Sequence, residues 1–413
     1  MTGKLPHRVA PRLRFPEFAG EPAWECIPLN KLAKRITRRN TQGVDLRPLT
    51  NSAEHGVVDQ REYFDRDIAT NTENYFVVEP GDYVYNPRVS SAAPVGPISK
   101  NTVGIGVMSP LYTIFQFRSD ANDFFEHYFQ SSHWHEYLRH ASNSGARHDR
   151  MAITNVDFMG MPIPTPSPAE RQKIADCLGS LDDLIAAEGR KLEALRRHKQ
   201  GLMQQLFPQP GETVPRLRFP EFEGGPEWRR QTLGEAATFL NGRAYSKDEL
   251  LDSGKYRVLR VGNFFTSDHW YYSDLELDDG KYCDNGDLLY AWSASFGPRI
   301  WRGERVIYHY HIWKVVERKR IDRGFLYACL ECETQRMRDA SARGLGMQHL
   351  TKKGIESWEC AIPTDPDEQR RISECLNAAE AGVDAQGRLL DALQRHKRGL
   401  LQQIFPTAEA STP

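Results

Sequence analysis

From Ile174 the chain places apolar residues at alternating spacings of four and three: Ile174, Leu178, Leu181, Ile185, Leu192, Leu195, Leu202 and Leu206, with Glu188 and Lys199 as polar rungs. This is the 3.5-residue period of a left-handed coiled coil, although a single such ladder also reads as an amphipathic helix lying on its own domain. The ladder recurs at an offset of 198 as Ile372, Leu376, Ala379, Val383, Leu390, Leu393, Leu400 and Ile404, with Gln386 and Lys397 at the same two polar rungs. Ser167-Pro168-Ala169-Glu170 and Asp365-Pro366-Asp367-Glu368 each offer an N-cap, a proline at the first helical position and a glutamate at the third. Phe207-Pro208 and Phe405-Pro406 close the two segments. Two long helices are predicted, over 165–208 and 364–406. Each seam spans roughly 50 Å at 1.5 Å per residue. A parallel pair would force the residues between the helices to bridge that length, whereas an antiparallel pair needs no such reach. Gly189, Gly201, Gly387 and Gly399 cost roughly 1 kcal/mol each in helix interiors. Two readings stay open for them: tolerated surface, or close approach of a partner protein.

The duplication extends beyond the helices. Pro11-Arg12-Leu13-Arg14-Phe15-Pro16-Glu17-Phe18 is repeated letter for letter from Pro215 to Phe222, and Trp24 returns as Trp228, an offset of 204 in both cases. Arg197 to Pro208 matches Arg395 to Pro406 at nine of twelve positions, whereas the residues between these blocks match poorly. Two similar frames holding different inserts imply a pseudo-symmetric molecule with two distinct heads.

The inserts, 19–164 and 223–363, read as mixed strand and helix. Tyr83 to Tyr85, Leu111 to Phe117, Tyr256 to Val261, Leu288 to Tyr290 and Val306 to Val316 are rich in β-branched and aromatic residues and are predicted strands. Helices are expected around Asp123 to His140 and Phe325 to Ala342. Gly81-Asp82 and Gly286-Asp287 precede similar strands, and Ile163-Pro164 and Ile362-Pro363 lead into the long helices, so the inserts are expected to share a fold. The fold class is α+β: two similar α/β domains separated by two long helices in an antiparallel coiled coil, with pseudo-twofold symmetry. The expected boundaries are 1–164, helix 165–208, 209–363, helix 364–406 and a flexible tail, 407–413.

With 413 residues, 39% hydrophobic and 26% charged, the chain has the composition of an ordinary soluble protein of two or three domains. The basic N-terminus lacks the apolar stretch of a secretory signal, and no run of about 18 apolar residues predicts a membrane span. Seven scattered cysteines suit a reducing cytoplasm. A net charge of −1 means that any basic face must be local.

Lys31, Lys34, Arg35, Arg38 and Arg39 place five cations within nine residues, with no acid among them. The glycine-bearing loops Ser142 to Arg150 and Ser341 to His349 occupy matching places in the two inserts; they supply Arg147, His148, Arg150, Arg343, Gln348 and His349. Arginine can fork onto guanine, and asparagine or glutamine onto adenine, while other cations bind phosphate. Each stretch alone also reads as a solvated face; matching loops on a two-headed frame favour DNA contact.

Catalytic signatures are missing. There is neither a phosphate-binding Gly-x-x-x-x-Gly-Lys loop nor a Gly-x-Gly-x-x-Gly fingerprint. Asn86-Pro87-Arg88 has one proline too few for the Asn/Asp-Pro-Pro-aromatic segment of amino-methyltransferases. Cys329 and Cys332 have no second pair to complete a zinc site and read as structural. His309-Tyr310-His311 would put two imidazoles on one face of a strand, and His133-Trp134-His135 does something similar, but neither has a nearby carboxylate or cysteine. No metal site is expected.

The whole pattern resembles the specificity subunits of type I restriction–modification systems. The resemblance covers essentially the entire chain. It rests on the repeated Pro-Arg-Leu-Arg-Phe-Pro-Glu-Phe block, on Glu368-Gln369-Arg370-Arg371-Ile372 with its permuted counterpart Glu170 to Ile174, and on the Lys-x-Gly-Leu closes at Lys199 to Pro208 and Lys397 to Pro406. It implies two target-recognition domains, each reading half of a gapped, asymmetric DNA site, with the helices setting the spacer. It implies docking of two adenine methyltransferase subunits and of motor-nuclease subunits. Cofactors are then expected on those partners, S-adenosylmethionine on the first and ATP with Mg on the second, and none on this non-catalytic chain. Asn241-Gly242-Arg243-Ala244-Tyr245 and Tyr290-Ala291-Trp292-Ser293-Ala294 look like recognition segments of this family, whereas the first domain has Thr37-Arg38-Arg39 in place of the former. Candidate DNA-binding residues are therefore Lys34, Arg35, Arg38, Arg39, Arg88, Arg147, His148, Arg150, Arg243, Tyr245, Trp292, Arg299, Arg343, Gln348 and His349. Two other readings remain: a coiled-coil adaptor whose domains bind proteins, and a self-sufficient DNA enzyme, which the missing motifs disfavour.

Overall fold

The structure is a computed structural model, and it describes residues 8–41, 44–66, 72–119, 123–142, 149–265, 267–293, 296–342 and 350–408. The chain divides into two units, Met1–Gly189 with Leu389–Pro413, and Arg190–Arg388. Each long helix contributes to both. They run Pro168–Leu206 and Pro366–Ile404, 39 residues each.

In the first unit a four-stranded antiparallel sheet has the order Ala33–Ile36, Thr113–Phe117, Tyr83–Tyr85, Ile98–Lys100. The second unit repeats it as Ala237–Asn241, Ile312–Glu317, Leu288–Ala291, Gly297–Ile300. Beside each sheet the same outer pairings recur. Phe76–Val78 lies on Gly106–Met108 in one unit, and Tyr282–Cys283 on Val306–Tyr308 in the other. The strand leading into each long helix pairs antiparallel with the strand after the duplicated block: Pro162–Thr165 on Trp24–Pro28, and Glu359–Ile362 on Arg229–Thr232. The shared fold expected of the two inserts is present.

The helix segments pair within each unit. In the first, Ile174, Leu178, Leu401, Ile404 and Phe405 join one core with Trp24, Tyr83, Phe115 and Phe124. In the second, Leu206, Phe207, Ile372 and Leu376 join Trp228, Trp313 and Phe325. The start of one helix meets the end of the other in both units, which is the antiparallel sense. No rung of either ladder is exposed, polar rungs included. Among the described residues no helix is long and apolar enough to cross a membrane.

Three expectations need correction. The strand read from Val306 to Val316 is two strands, Val306–Tyr308 and Ile312–Glu317. The residues between them form a turn closed by Ile312 N donating to His309 O at 3.0 Å, so the two histidines do not share a strand face. The helix expected over 123–140 is broken into Phe124–Gln130 and His135–Ala141, because Ser131 turns its hydroxyl back onto Tyr128 O at 2.7 Å. Thr407 and Ala408, placed in the flexible tail, are held: Thr407 Oγ1 lies 2.8 Å from His133 Nδ1, and Ala408 is buried.

Candidate nucleic-acid interface

In the second unit, two strands flanking Ile312–Glu317 end beside its first residues, Asn241 opposite Trp313 and Ala291 opposite Ile312. The two recognition-like segments of the sequence therefore converge on the His309-Tyr310-His311 turn. Backbone bonds hold the junction: Arg243 N to Tyr308 O at 3.1 Å, Tyr310 N to Arg243 O at 3.0 Å and Trp292 N to His311 O at 3.1 Å. Trp292 Nε1 adds a bond to Tyr310 O at 2.8 Å. Gly242 makes this approach possible. A Cβ built there would lie inside the van der Waals shells of the Tyr308 and His309 carbonyl oxygens. The opposite end of the strand Ile312–Glu317 faces the second long helix, where Asp322 N donates to Gln369 Oε1 at 2.8 Å. The turn thus lies at the end of the sheet away from that helix.

Side chains around the turn form a continuous aromatic surface. Tyr245 stacks on His309 at 6.3 Å, His309 meets His311 at 4.8 Å, and Trp292 meets His311 edge-on at 4.9 Å. Burial, then the neighbouring His311 and Arg260 charges, lowers the His309 pKa to about 4. Burial and Arg260 lower that of His311 as well. Both rings are therefore neutral near pH 7, each offering one donor and one acceptor.

Arg243 and Tyr245 are less free than their sequence context implied. Arg243 forks onto Glu249 at 2.6 and 3.0 Å and lies over the Tyr245 ring. That pairing holds the Glu249 carboxyl down at about 2. Tyr245 is half-buried, with its hydroxyl 3.4 Å from Tyr308 O. These two residues brace the turn. Arg299, on Gly297–Ile300, instead lines a cavity of about 1230 Å³ together with Tyr327 and Glu331.

The corresponding turn in the first unit is Ser109-Pro110-Leu111-Tyr112, closed by Tyr112 N to Ser109 O at 3.0 Å. Arg88 follows the strand Tyr83–Tyr85, and its backbone bridges to that of Arg150, whose guanidinium pairs with Asp149 at 3.2 Å. Lys34 and Arg35 are exposed on the strand Ala33–Ile36. Arg38 is neutralised by Asp82 at 2.5 Å and Glu79 at 3.0 Å. Burial nonetheless raises the Asp82 pKa. Arg39 lies over the Phe76 ring and donates to Asn74 O. Arg147, His148, Arg343, Gln348 and His349 lie outside the described residues.

The frame around the interface has a second element. Glu170 and Glu368, the third-position glutamates of the two helix starts, turn into the core. Arg14 forks onto Glu170 at 2.8 and 2.7 Å, and Trp24 Nε1 adds a bond at 3.1 Å. Arg218 and Trp228 do the same to Glu368 at 2.8, 2.8 and 3.0 Å. The duplicated block, the tryptophan and the helix start thus meet in one buried cluster per unit. Separately, among the described residues no cluster of three or more His, Cys, Asp or Glu is placed to hold a metal.

Residues 226–395 match the family model for the type I restriction modification DNA specificity domain. The type I restriction enzyme MjaVIII specificity subunit of Methanocaldococcus jannaschii is 25% identical over 273 residues, 61% of this chain and 64% of that protein. The putative MjaX specificity subunit of the same organism is 21% identical over 267 residues, covering 62% and 61%. The matched stretch thus spans just under two thirds of the length of these curated relatives. Among solved structures, the S subunit of a type I restriction–modification system from M. genitalium aligns with a TM-score of 0.55 at 13% identity, over 97% of this chain and 100% of that one. A chain from a study of complex assembly and conformational transition of the type I system aligns at 0.56 and 17%, over 93% and 98%. By family model over its second half, by curated relatives and by fold over nearly its whole length, the chain is similar to the specificity subunits of type I restriction–modification systems.

Proposed function

We propose that the chain is the DNA-reading subunit of a type I restriction–modification complex and performs no chemistry itself. Each unit enters the major groove at one half-site, and the helix pair sets the number of unread base pairs between the halves. Two adenine methyltransferase subunits dock on the chain and supply S-adenosylmethionine. Each flips an adenine out of the stack, since a base inside it is unreachable. Motor-nuclease subunits bring ATP and Mg when the complex restricts, all in the cytoplasm. The supporting observation is the reuse of one sheet plan with different residues at the same turn, Ser109-Pro110-Leu111 in one unit and His309-Tyr310-His311 in the other. A common frame with unlike tips suits a reader of two unlike half-sites.

Mapping of methylated adenines in the host genome tests this. The expected result is a gapped, asymmetric motif; an ungapped palindrome would overturn it. A four-residue insertion in both helices is expected to lengthen the gap, and an unchanged gap would remove the helices from that role.

A further inference from the structure

Turns at strand ends ordinarily carry small polar residues, because they face water and need little side chain. The turn after Val306–Tyr308 instead carries two imidazoles and a phenol in succession, and Tyr310 remains 39% exposed. The core beneath does not need these rings: Trp313, 2% exposed, already closes it, with Trp292 stacked above at 5.7 Å. Tyr310 and His311 lie ring to ring at 4.0 Å on a backbone fixed from both sides by Arg243 and Trp292. A surface ordered before its ligand arrives loses little freedom on binding.

The charges around the turn point the same way. Arg243 is neutralised by Glu249, Arg257 by Glu304, and Arg305 by Asp279 and Asp284. Arg260 is exposed, lies over the Tyr271 ring at 5.2 Å and, among the described residues, has no carboxylate partner. It follows Leu259, which pairs with Tyr308 and accepts from His309 N at 2.9 Å, so it stands beside the turn, and its charge disfavours protonation of both imidazoles. An unpaired guanidinium beside neutral rings with donors and acceptors matches duplex DNA, with phosphate outside and patterned base edges inside the groove.

Resting on the DNA-reading role proposed above, we infer that the Tyr310–His311 tip is the base-reading edge of the second unit and that Arg260 anchors the adjacent phosphate. Trp292, Arg243 and Gly242 are positioning residues that hold this tip. The first unit, with Ser109-Pro110-Leu111 at the matching turn, reads its half-site with other groups.

The test offers random-sequence duplex DNA to the full chain assembled with its methyltransferase partner, followed by sequencing of the bound molecules. The unaltered complex is expected to enrich a two-part motif. Tyr310→Ala and His311→Ala are each expected to lower base preference about tenfold at one or two pairs of one part. The other part and the gap are expected to stay unchanged. His311→Gln, which keeps a donor and an acceptor with altered reach, is expected to change the preferred base. Arg260→Ala is expected to weaken binding to all sequences and to reduce the salt slope by about one. Melting curves matching the unaltered chain show that the variants fold. Absence of any motif from the unaltered complex would overturn the DNA-reading role. A two-part motif left intact by both Tyr310→Ala and His311→Ala would overturn this assignment alone.

Discussion

Lys199 Nζ lies 2.6 Å from Glu380 Oε2, and the pair recurs at an offset of 198 as Lys397 with Asp182 at 2.5 Å. The two lysines are polar rungs of the helix ladders, and each finds its acid on the facing helix of its own unit. A third group from the globular part completes each site: Glu331 at 2.7 Å from Lys199, and Gln130 Oε1 at 2.6 Å from Lys397. A polar residue at a seam position fixes register, because any slip would leave it unpaired in an apolar groove.

Lys199→Met is accordingly expected to leave Glu331 and Glu380 facing each other unpaired and to destabilise the second unit by about 2 kcal/mol. Adding Glu380→Gln is expected to restore part of the loss. Urea denaturation of Lys199→Met, Glu380→Gln and the double variant checks this through the coupling energy, and strictly additive effects would deny the pairing.

The Arg–Glu–Trp clusters are held more tightly, since the Glu170 side chain is only 1% exposed and that of Arg14 14%. Glu170→Ala leaves the Trp24 indole N–H without an acceptor in the core and reduces Arg14 to its bonds with the Glu21 and Pro22 carbonyls, and a loss of about 2 kcal/mol is expected. Glu368→Ala is expected to behave alike in the other unit. Glu170→Gln keeps one acceptor and is expected to lose about half as much. Equilibrium unfolding of the three variants tests the ranking.

The helices were legible because a 3.5-residue period between matching start and stop signals is printed twice in the same register. The buried clusters were visible only in part. Arg14, Trp24 and Glu170 recur together as Arg218, Trp228 and Glu368, yet contacts spanning some 150 positions carry no local periodicity. Joint recurrence was the available signal. The turn at His309–His311 was missed because Val306 to Val316 holds no glycine, proline, asparagine or aspartate to punctuate a run of strand formers. Tertiary bonds from Arg243 and Trp292, not local propensity, fix that turn. Arg243 stood out by sequence context, but Glu249, six residues on, binds it, and a charge count along the chain does not reveal which cations are already satisfied.

His127 gives the first unit an acid-sensitive point. It is buried, with Lys397, Asp182 and Asp123 around it, and Asp182 Oδ2 is 3.7 Å from its Nδ1. Burial first, then the Lys397 charge, lowers its pKa below the usual imidazole value. The unfolded chain therefore binds this proton more readily than the folded one. Its contribution is fully present above about pH 6.5 and is lost as pH falls toward the lowered folded value. His127→Phe is expected to flatten the part of the pH–stability profile below about pH 6.5 that belongs to this residue, measured by urea midpoints.

Gly242→Ala tests the brace behind the second turn. The added methyl collides with two carbonyl oxygens of Tyr308 and His309, both backbone atoms that cannot rotate aside. A loss of at least about 2 kcal/mol is expected, along with weaker base preference in one half-site only. A fully preserved motif with unchanged stability would show that the turn does not depend on this approach.

Gly201 and Gly399 stand at matching places in the two helices, and a Cβ at either would meet nothing within 4 Å. In the free chain, alanine at each is expected to stabilise its helix by about 1 kcal/mol, since neither position needs glycine's conformational freedom. The persistence of glycine where alanine fits is explained if a partner's backbone comes close to these positions. The double variant is therefore expected to melt higher than the unaltered chain and to bind the methyltransferase proposed to dock on it more weakly. Calorimetry on the chain alone and titration with the methyltransferase separate the two effects. A higher melting temperature with unchanged methyltransferase affinity would leave both glycines as solvated surface.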